Sequence, residues 1–534
     1  MTRRRSYWAW GWEDRFPNPG VRAMLAHRLE QTLGLGGLTE RAPRPIEAIA
    51  LTPPRIAAPE GLAEVVTADR RERLVHTYGR AFPDLARGLA GDFTRAPDLV
   101  AFPRDEGDIE RILAWAGGAD VAVIPYGGGT SVVGGVEAAL PRPYAGVVSL
   151  DLGRLDRVLE VDAVSRLARV QAGTTGPALE EQLGAHGLTL RHYPQSFEHS
   201  TVGGWIATRA GGHFATVYTH IDDLVAGTRM ITPAGVFETR PLPGSGAGPS
   251  PDRLVLGSEG ALGVITEAWL RVRPRPVHRA SATVRFAEWG AAVDAVRAVA
   301  QAYLFPTNCR LLDRREAALN MVGKGDAHLL LLGFESAEHP VGGLLEHALA
   351  LTRRHGGACP GGPTLRDAGA KGRAREADAW RGAFLEAPYL FSALVALGAV
   401  VDTFETAVPW ARFPALHAAV VGNVREAMAR VSGAKGLLTC RFTHVYPDGP
   451  APYYTFITAA RPGEELAQWA AIKEAASEAL LAHGATITHH HAVGRTHRPW
   501  YGRQAPRLFT TALAAVKGTL DPHGILNPGV LLPG

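Results

Sequence analysis

The sequence predicts an α+β protein of several domains, on three observations. Strand-length apolar runs alternate with segments of helical period, glycine clusters follow several of those runs, and the 534 residues are 46% apolar against 20% charged. That balance supplies material for large cores and excludes a disordered or low-complexity chain. At ~100–200 residues per domain, the length corresponds to roughly two to four units. Lys+Arg total 56 against 52 Asp+Glu, a formal net charge of +4, and only five of the cations are Lys. So thin a basic surplus is no nucleic-acid footprint, and no nucleic-acid partner is expected.

In chain order, residues 1–94 read as a helical N-terminal extension: an aromatic opening, a Pro-rich connector, then helical segments such as Glu60 to Phe82. Leu99 to Phe102 reads as a strand, and Asp105 to Ala116 as a helix with Ile109, Ile112, Leu113 and Ala116 on its apolar face. Val121 to Pro125 is a second β-branched strand, running into Gly127-Gly128-Gly129-Thr130-Ser131. Strands at Val147–Leu152 and Leu167–Ala172 precede a helix around Pro177 to His186. A strand pair near Leu224–Thr232 turns at Pro233-Ala234-Gly235, and Leu262 to Val272 is a further apolar run. Pro241 to Pro251 reads as a surface loop, and Arg273-Pro274-Arg275-Pro276 as a domain boundary closing a unit over 95–276. From 277 to 485, strands (Ala282–Phe286, Leu329–Phe334, Tyr453–Thr458) alternate with helices (Trp289–Ala302, Pro340–His355, Glu464–His483), a second α+β unit. Residues 486–534 carry a histidine tract and a C-terminal segment expected to return to the first unit.

Cys309, Cys359 and Cys440 are scattered, odd in number and without a CxxC, which points to a reducing cytosol. The opening MTRRRSYWAWGW has no apolar core of a signal peptide, and Ala387 to Val401, at 15 residues, is too short to span a bilayer. A cytoplasmic location is expected. The cluster Tyr7, Trp8, Trp10 and Trp12 reads as a packed cap, with peripheral membrane contact as the alternative.

Three glycine motifs occur in order: IPYGGGTSVVGG at 124–135, STVGGWIATRAGG at 200–212 and GSEGALGVITE at 257–267. Glycine lets backbone N–H groups approach phosphate oxygens and supplies the φ > 0 conformations of an anion nest. Neither G-x-G-x-x-G nor G-x-x-x-x-G-K-[ST] is present, which excludes the Rossmann and P-loop readings. As a set, the motifs resemble the two-subdomain FAD-binding domain of vanillyl-alcohol-oxidase-type flavoproteins. The resemblance implies that Pro125, Tyr126, Gly127, Gly128, Gly129, Thr130 and Ser131 hold the diphosphate. Ser200, Thr201, Gly203, Gly204, Trp205 and Thr208 would lie along the flavin, and Glu259, Ala261, Val264 and Ile265 at the adenine–ribose end. The first loop carries no His or Cys, so the FAD is expected to be non-covalent.

YWAWGWEDRF at the opening, TNCRLLD at 307–313, LLTCRFTHVY at 437–446 with Pro452 to Phe456, and His489-His490-His491 followed by Val493-Gly494 resemble the alkyldihydroxyacetonephosphate synthase family. That family exchanges the acyl group of acyl-dihydroxyacetone phosphate for a fatty alcohol, without net redox change, through an adduct at flavin N5. The resemblance implies that His490 is the base, flanked by His489 and His491. It also implies that Tyr453 hydrogen-bonds the reacting carbonyl or the histidine, that Arg310 stabilises developing negative charge, and that the enzyme is a homodimer. Arg495 and Arg498 follow the tract and are candidates for the substrate phosphate. Two departures bear on that site. Ala492 stands where the family has Gly, and Pro499 intrudes into the segment that follows.

Other readings of these residues stay open. The histidines read alternatively as a metal site, though no Asp, Glu or Cys lies at ligand spacing nearby, so no metal is expected, or as an inert loop. Arg310 could pair with Asp313 or Asp105, and the strand carrying Tyr453 could aim it into the core. The alternative activity is an FAD-dependent oxidase or dehydrogenase of a 2-hydroxyacid or alcohol. Such relatives carry a metal-binding HxGDGNxH segment, of which the stretch from Arg441 to Gly449 keeps only His444. A non-catalytic flavin protein fits poorly with so many titratable candidates.

Overall fold

A computed structural model describes residues 3–33, 38–214, 216–323, 325–366, 375–433 and 436–533. Its first sheet has four strands in the order Val66–Thr67, Leu99–Ala101, Gly146–Asp151, Val121–Tyr126. The last three run parallel and are buried along nearly their whole length, as expected of a sheet covered on both faces. Helix Glu106–Gly118 makes the crossover, with Asp105 capping its start and Ile109, Ile112, Leu113 and Ala116 buried. The edge strand comes from the stretch read as a separate helical extension, so that stretch is built into the sheet. The expected helix over Glu60 to Phe82 is interrupted: Gly61 turns at φ +86°, and only Arg70–Val75 is helical before a new helix starts at Phe82.

The second sheet is antiparallel, in the order Val158–Asp162, Leu167–Gln171, Val264–Arg271, Val225–Thr232, Gly235–Glu238. One large core serves both sheets and includes Leu150, Val170, Trp205, Leu262 and Leu526. The C-terminal residues close that unit: Val123 donates to the Ile525 carbonyl at 2.8 Å, and Asn527 donates to the Val123 carbonyl at 2.9 Å.

The third sheet, of seven antiparallel strands, forms the cap. Its order is Thr364–Arg366, His278–Phe286, His328–Ser336, Asn308–Leu312, Leu437–Val445, Pro450–Ala459, Ala399–Glu405. Helices Trp289–Gln301, Gly342–Arg354, Phe413–Ser432 and Glu465–Ala482 pack on one face through Cys309, Leu311, Phe404, Phe442, Tyr454 and Phe456. Because side chains alternate along a strand, the neighbours of those residues face the other way. That opposite face carries Arg310, Thr403, Arg441, Tyr453 and Thr455, and it roofs the main cavity.

Most of the aromatic opening is packed inside: Tyr7, Trp8 and Trp10 are buried against helix Phe82–Ala90 and the cap, and Trp12 is half-buried. No helix among the described residues is long and apolar enough to cross a membrane.

Candidate active site

A cavity of about 850 Å³ lies between the glycine loops and the cap sheet, toward the upper end of the ~300–1,000 Å³ usual for small-molecule sites. Strand Val121–Tyr126 delivers its floor, the turn Gly127 to Val132. No protein acceptor takes the backbone N–H of any residue in that turn, among the described residues. A Cβ on Gly128 would lie 2.0 Å from the His199 carbonyl oxygen, and Gly129 sits at φ +66°, so both positions require glycine. Arg80 lies beside this turn, fully buried, and donates only to the carbonyls of Ser6, Tyr78 and Gly79. It has no ion-pair partner among the described residues. Unmatched amides beside a buried cation fit a diphosphate, the part of FAD that needs them. The sequence reading missed Arg80 because it lies about 45 residues before the loop it serves.

Of the residues expected to hold the cofactor, Pro125 to Ser131, Ser200, Thr201, Gly203, Gly204, Trp205, Thr208, Glu259 and Ile265 line the cavity. Ala261 and Val264 do not: Ala261 is buried away from it, and Val264 lies in the core of the first unit, where strand alternation turns it away from the side that Gly263 and Ile265 share. Glu259 also has a second task. Its carboxylate accepts the amides of Val493 at 2.9 Å and Gly494 at 2.7 Å, tying the third glycine motif to the chain just beyond the histidines. Burial pushes this carboxyl up to about 7, against those two amides.

The cap brings the other candidates together. Tyr453 faces the cavity and Tyr454 the core, which resolves the ambiguity of that strand. Arg441 lies 3.9 Å from the centroid of the Tyr453 ring and pairs with the buried Glu316 at 2.5 Å. Arg310 is paired with neither Asp313 nor Asp105; its Nη atoms approach His213 Nδ1 at 3.3 Å and the His213 carbonyl at 3.4 Å. Burial lowers the guanidinium to about 9, with Arg441 adding and Glu316 opposing, so it remains charged near neutrality.

His490 and His491 line the cavity; His489 lies behind them. The tract is held by Glu405, which was not anticipated. Its carboxylate accepts the amides of His489 at 2.6 Å, His490 at 3.2 Å and His491 at 3.0 Å, together with the Thr488 hydroxyl at 2.5 Å. Glu405 ends strand Ala399–Glu405 directly opposite Tyr453, so sheet register sets the histidines beside the tyrosine. The His490 ring stacks on Tyr453 at 6.0 Å and 18°. Burial drives His489 and His490 well below the ordinary imidazole value, helped by neighbouring histidines, so both are neutral near pH 7.

His444 supplies the partner that sequence spacing failed to reveal: nitrogens of His444, His489 and His490 lie within 4.8 Å of one another. Those of His444 and His489 have protein partners. His444 Nε2 meets the Gly212 carbonyl at 2.9 Å, and His489 Nε2 meets the Tyr446 hydroxyl at 2.7 Å.

Arg495 and Arg498 do not line the cavity. Arg495 donates to the carbonyls of Ala139, Gly134 and Pro528 at 3.0, 2.7 and 2.9 Å, and Arg498 to that of Gly529 at 2.7 Å. Both hold the C-terminal tail against the first unit. Pro499 does not bend a binding segment; it occupies the first turn of helix Arg498–Gln504, where its missing N–H costs nothing. Ala492 does adopt φ +73°, the left-handed conformation that Gly tolerates better.

Comparison with known proteins agrees with this geometry. Residues 97–239 match an FAD binding domain family, and residues 275–531 match the C-terminal domain of FAD linked oxidases. The alkyldihydroxyacetonephosphate synthase of Trypanosoma brucei brucei is 30% identical over 90% of this chain and 82% of its own length. That of Dictyostelium discoideum is 29% identical over 88% and 79%. A solved alkyldihydroxyacetonephosphate synthase superposes with a TM-score of 0.80 at 26% identity, covering 98% of both chains. Similarity this extensive, over a cavity built to take FAD, shows that the chain belongs to the alkyldihydroxyacetonephosphate synthase family of FAD-dependent enzymes.

Proposed function

We infer that the protein exchanges the acyl group of acyl-dihydroxyacetone phosphate for a fatty alcohol, giving the ether bond of an ether lipid, with FAD held non-covalently. The observation that carries this reading is the meeting of a neutral histidine, a tyrosine and a buried arginine at the junction of the glycine-loop floor with an apolar limb. That limb runs past Leu29, Leu319, Phe391, Leu394 and Leu437 and suits an acyl or alkyl chain.

In this reading His490 removes a proton from the carbon beside the substrate ketone, Tyr453 donates to the carbonyl oxygen, and Arg310 stabilises charge that gathers there. Bound FAD supplies the electron sink that lets a carbon–oxygen bond be exchanged with no net redox change. The substrate phosphate is left to other arginines that line the cavity, among them Arg314 and Arg315. Met321 lines the apolar limb and is 64% exposed, which supports entry of a lipid between helices Pro19–Leu33 and Arg314–Leu319 and docking of that mouth on a membrane surface.

His490→Ala tests the assignment. It should retain FAD and lose turnover by about 10²-fold or more; wild-type turnover in that variant would remove His490 from its role.

A further inference from the structure

The histidine tract is seated on the cofactor loops as well as on the cap. From the cap, Glu405 takes the amides of His489, His490 and His491. Just beyond, Glu259 of the third glycine motif takes those of Val493 and Gly494. Two buried carboxylates, one from each unit, therefore grip the chain on either side of Ala492. The other two motifs touch the tract as well. The Val133 carbonyl, in the first, accepts the amides of Arg495 at 2.9 Å and Thr496 at 3.1 Å. Gly211, in the second, lies so close to His490 that an added Cβ would stand 3.1 Å from the His490 Cβ. Within the third motif the Glu259 amide donates to the Ala207 carbonyl at 2.9 Å, and the Glu259 carbonyl accepts Asn527 Nδ2 at 2.7 Å. A Cβ on Gly260 would meet Pro125 Cγ at 2.9 Å. Pro125, Ala207, Glu259 and Gly260 all line the cavity, so the segment that grips the tract is itself a wall of the cofactor site. Glu259 holds its backbone at φ +50°, which glycine adopts more easily, and its two amide bonds offset that strain.

We propose that the Glu259 carboxylate couples the cofactor site to the seat of His490, so that binding of FAD fixes the base in place and loosening of the seat weakens FAD. A group that holds the third motif in its bound shape before FAD arrives lowers the cost of binding. Coupling between two sites is reciprocal, so FAD that orders the motif must order the tract by the same factor. Glu259 is a positioning residue here: it acts on substrate only through His490. Its role rests on the proposed exchange only at that last step, since the link between FAD and the tract is measurable without turnover.

Amide hydrogen exchange of the wild-type enzyme, with and without FAD and read by mass spectrometry on peptides spanning the tract, needs no substitution. FAD should slow exchange across His489 to Gly494 by about fivefold or more; equal rates in the two states would overturn the coupling. Glu259→Gln keeps the length of the side chain and replaces one accepting oxygen by an amide that only donates, which leaves a buried N–H of Val493 or Gly494 without its acceptor. It should raise the FAD dissociation constant about fivefold or more, as one such amide implies, and shrink the FAD-dependent protection of the tract. At saturating FAD its kcat should fall about tenfold or more through misplacement of His490, with KM little changed. A Glu259 that only stabilised the fold would lower the unfolding temperature of this variant and leave FAD affinity, FAD-dependent protection and kcat at saturating FAD as in the wild type; that result would overturn the proposal. Wild-type enzyme that shows the FAD-dependent protection yet forms no ether would instead overturn the exchange and leave the coupling standing.

Discussion

Two glycines in the cavity wall should respond in opposite ways to the same added methyl. At Gly128 a Cβ would meet the His199 carbonyl oxygen at 2.0 Å and its carbon at 2.7 Å. Both are backbone atoms with no side-chain freedom to yield, so the loop must shift toward the cavity it floors. Overpacking of this kind costs about 1–3 kcal/mol. If FAD needs the loop in its present place, that cost appears in binding as a dissociation constant raised about 5- to 150-fold. At Gly204, within helix Val202–Thr208, only Thr201 Oγ1 lies within 4 Å of an added Cβ, at 3.3 Å, and the remaining space is the cavity itself. Gly204→Ala should therefore stabilise the apoprotein by up to about 1 kcal/mol through helix propensity, yet weaken FAD binding by intruding on its space. Flavin fluorescence titration of the two apoproteins, beside their thermal unfolding, reads both effects. Wild-type FAD affinity in Gly128→Ala and Gly204→Ala alike would refute the assignment of this wall to the cofactor.

Two further outcomes follow from groups beneath the site. Glu316→Ala leaves the Arg441 guanidinium buried beside Tyr453 without its carboxylate partner at 2.5 Å; chemical denaturation should show a loss of about 3–5 kcal/mol, against a smaller loss for Glu316→Gln. Burial lowers both His192 and His199 to about 3, with nearby arginines adding to the effect at His199. Between that value and the unfolded value of about 6.5, the unfolded chain binds more protons than the folded one. The stabilisation is therefore complete above about pH 6.5 and is lost as pH falls, by about 2 kcal/mol per histidine at pH 5. Urea unfolding at pH 7.5 and pH 5 should show this, and His192→Phe should flatten the dependence.

Most strands and the three glycine loops were legible in the sequence because they depend on local pattern: β-branched runs, and glycine where backbone meets backbone. His490, Tyr453 and Arg310 were reached through family motifs, and the cap sheet turns Tyr453 and Arg310 to one face while Glu405 holds His490 beside them. Contacts that depend on register across long separations were not legible. Glu405 lies more than 80 residues before the histidines it holds, and His444 and Tyr446 reach them from the end of another strand. Arg495 and Arg498 misled through proximity in sequence, since charge beside the tract said nothing of where the side chains go, and each turns back to carbonyls of the C-terminal tail. Helical composition over 60–82 likewise hid the left-handed turn at Gly61.

The most direct test of the central claim follows the alcohol oxygen. FAD-loaded enzyme, without air or any electron acceptor, would be given acyl-dihydroxyacetone phosphate and a fatty alcohol labelled with oxygen-18, and the products read by mass spectrometry. The account predicts an ether product that retains the label, an equal amount of unlabelled fatty acid, and continued turnover. Flavin bleached by the alcohol or by a 2-hydroxyacid, with no labelled ether formed, would contradict it and assign the cavity to an oxidase or dehydrogenase.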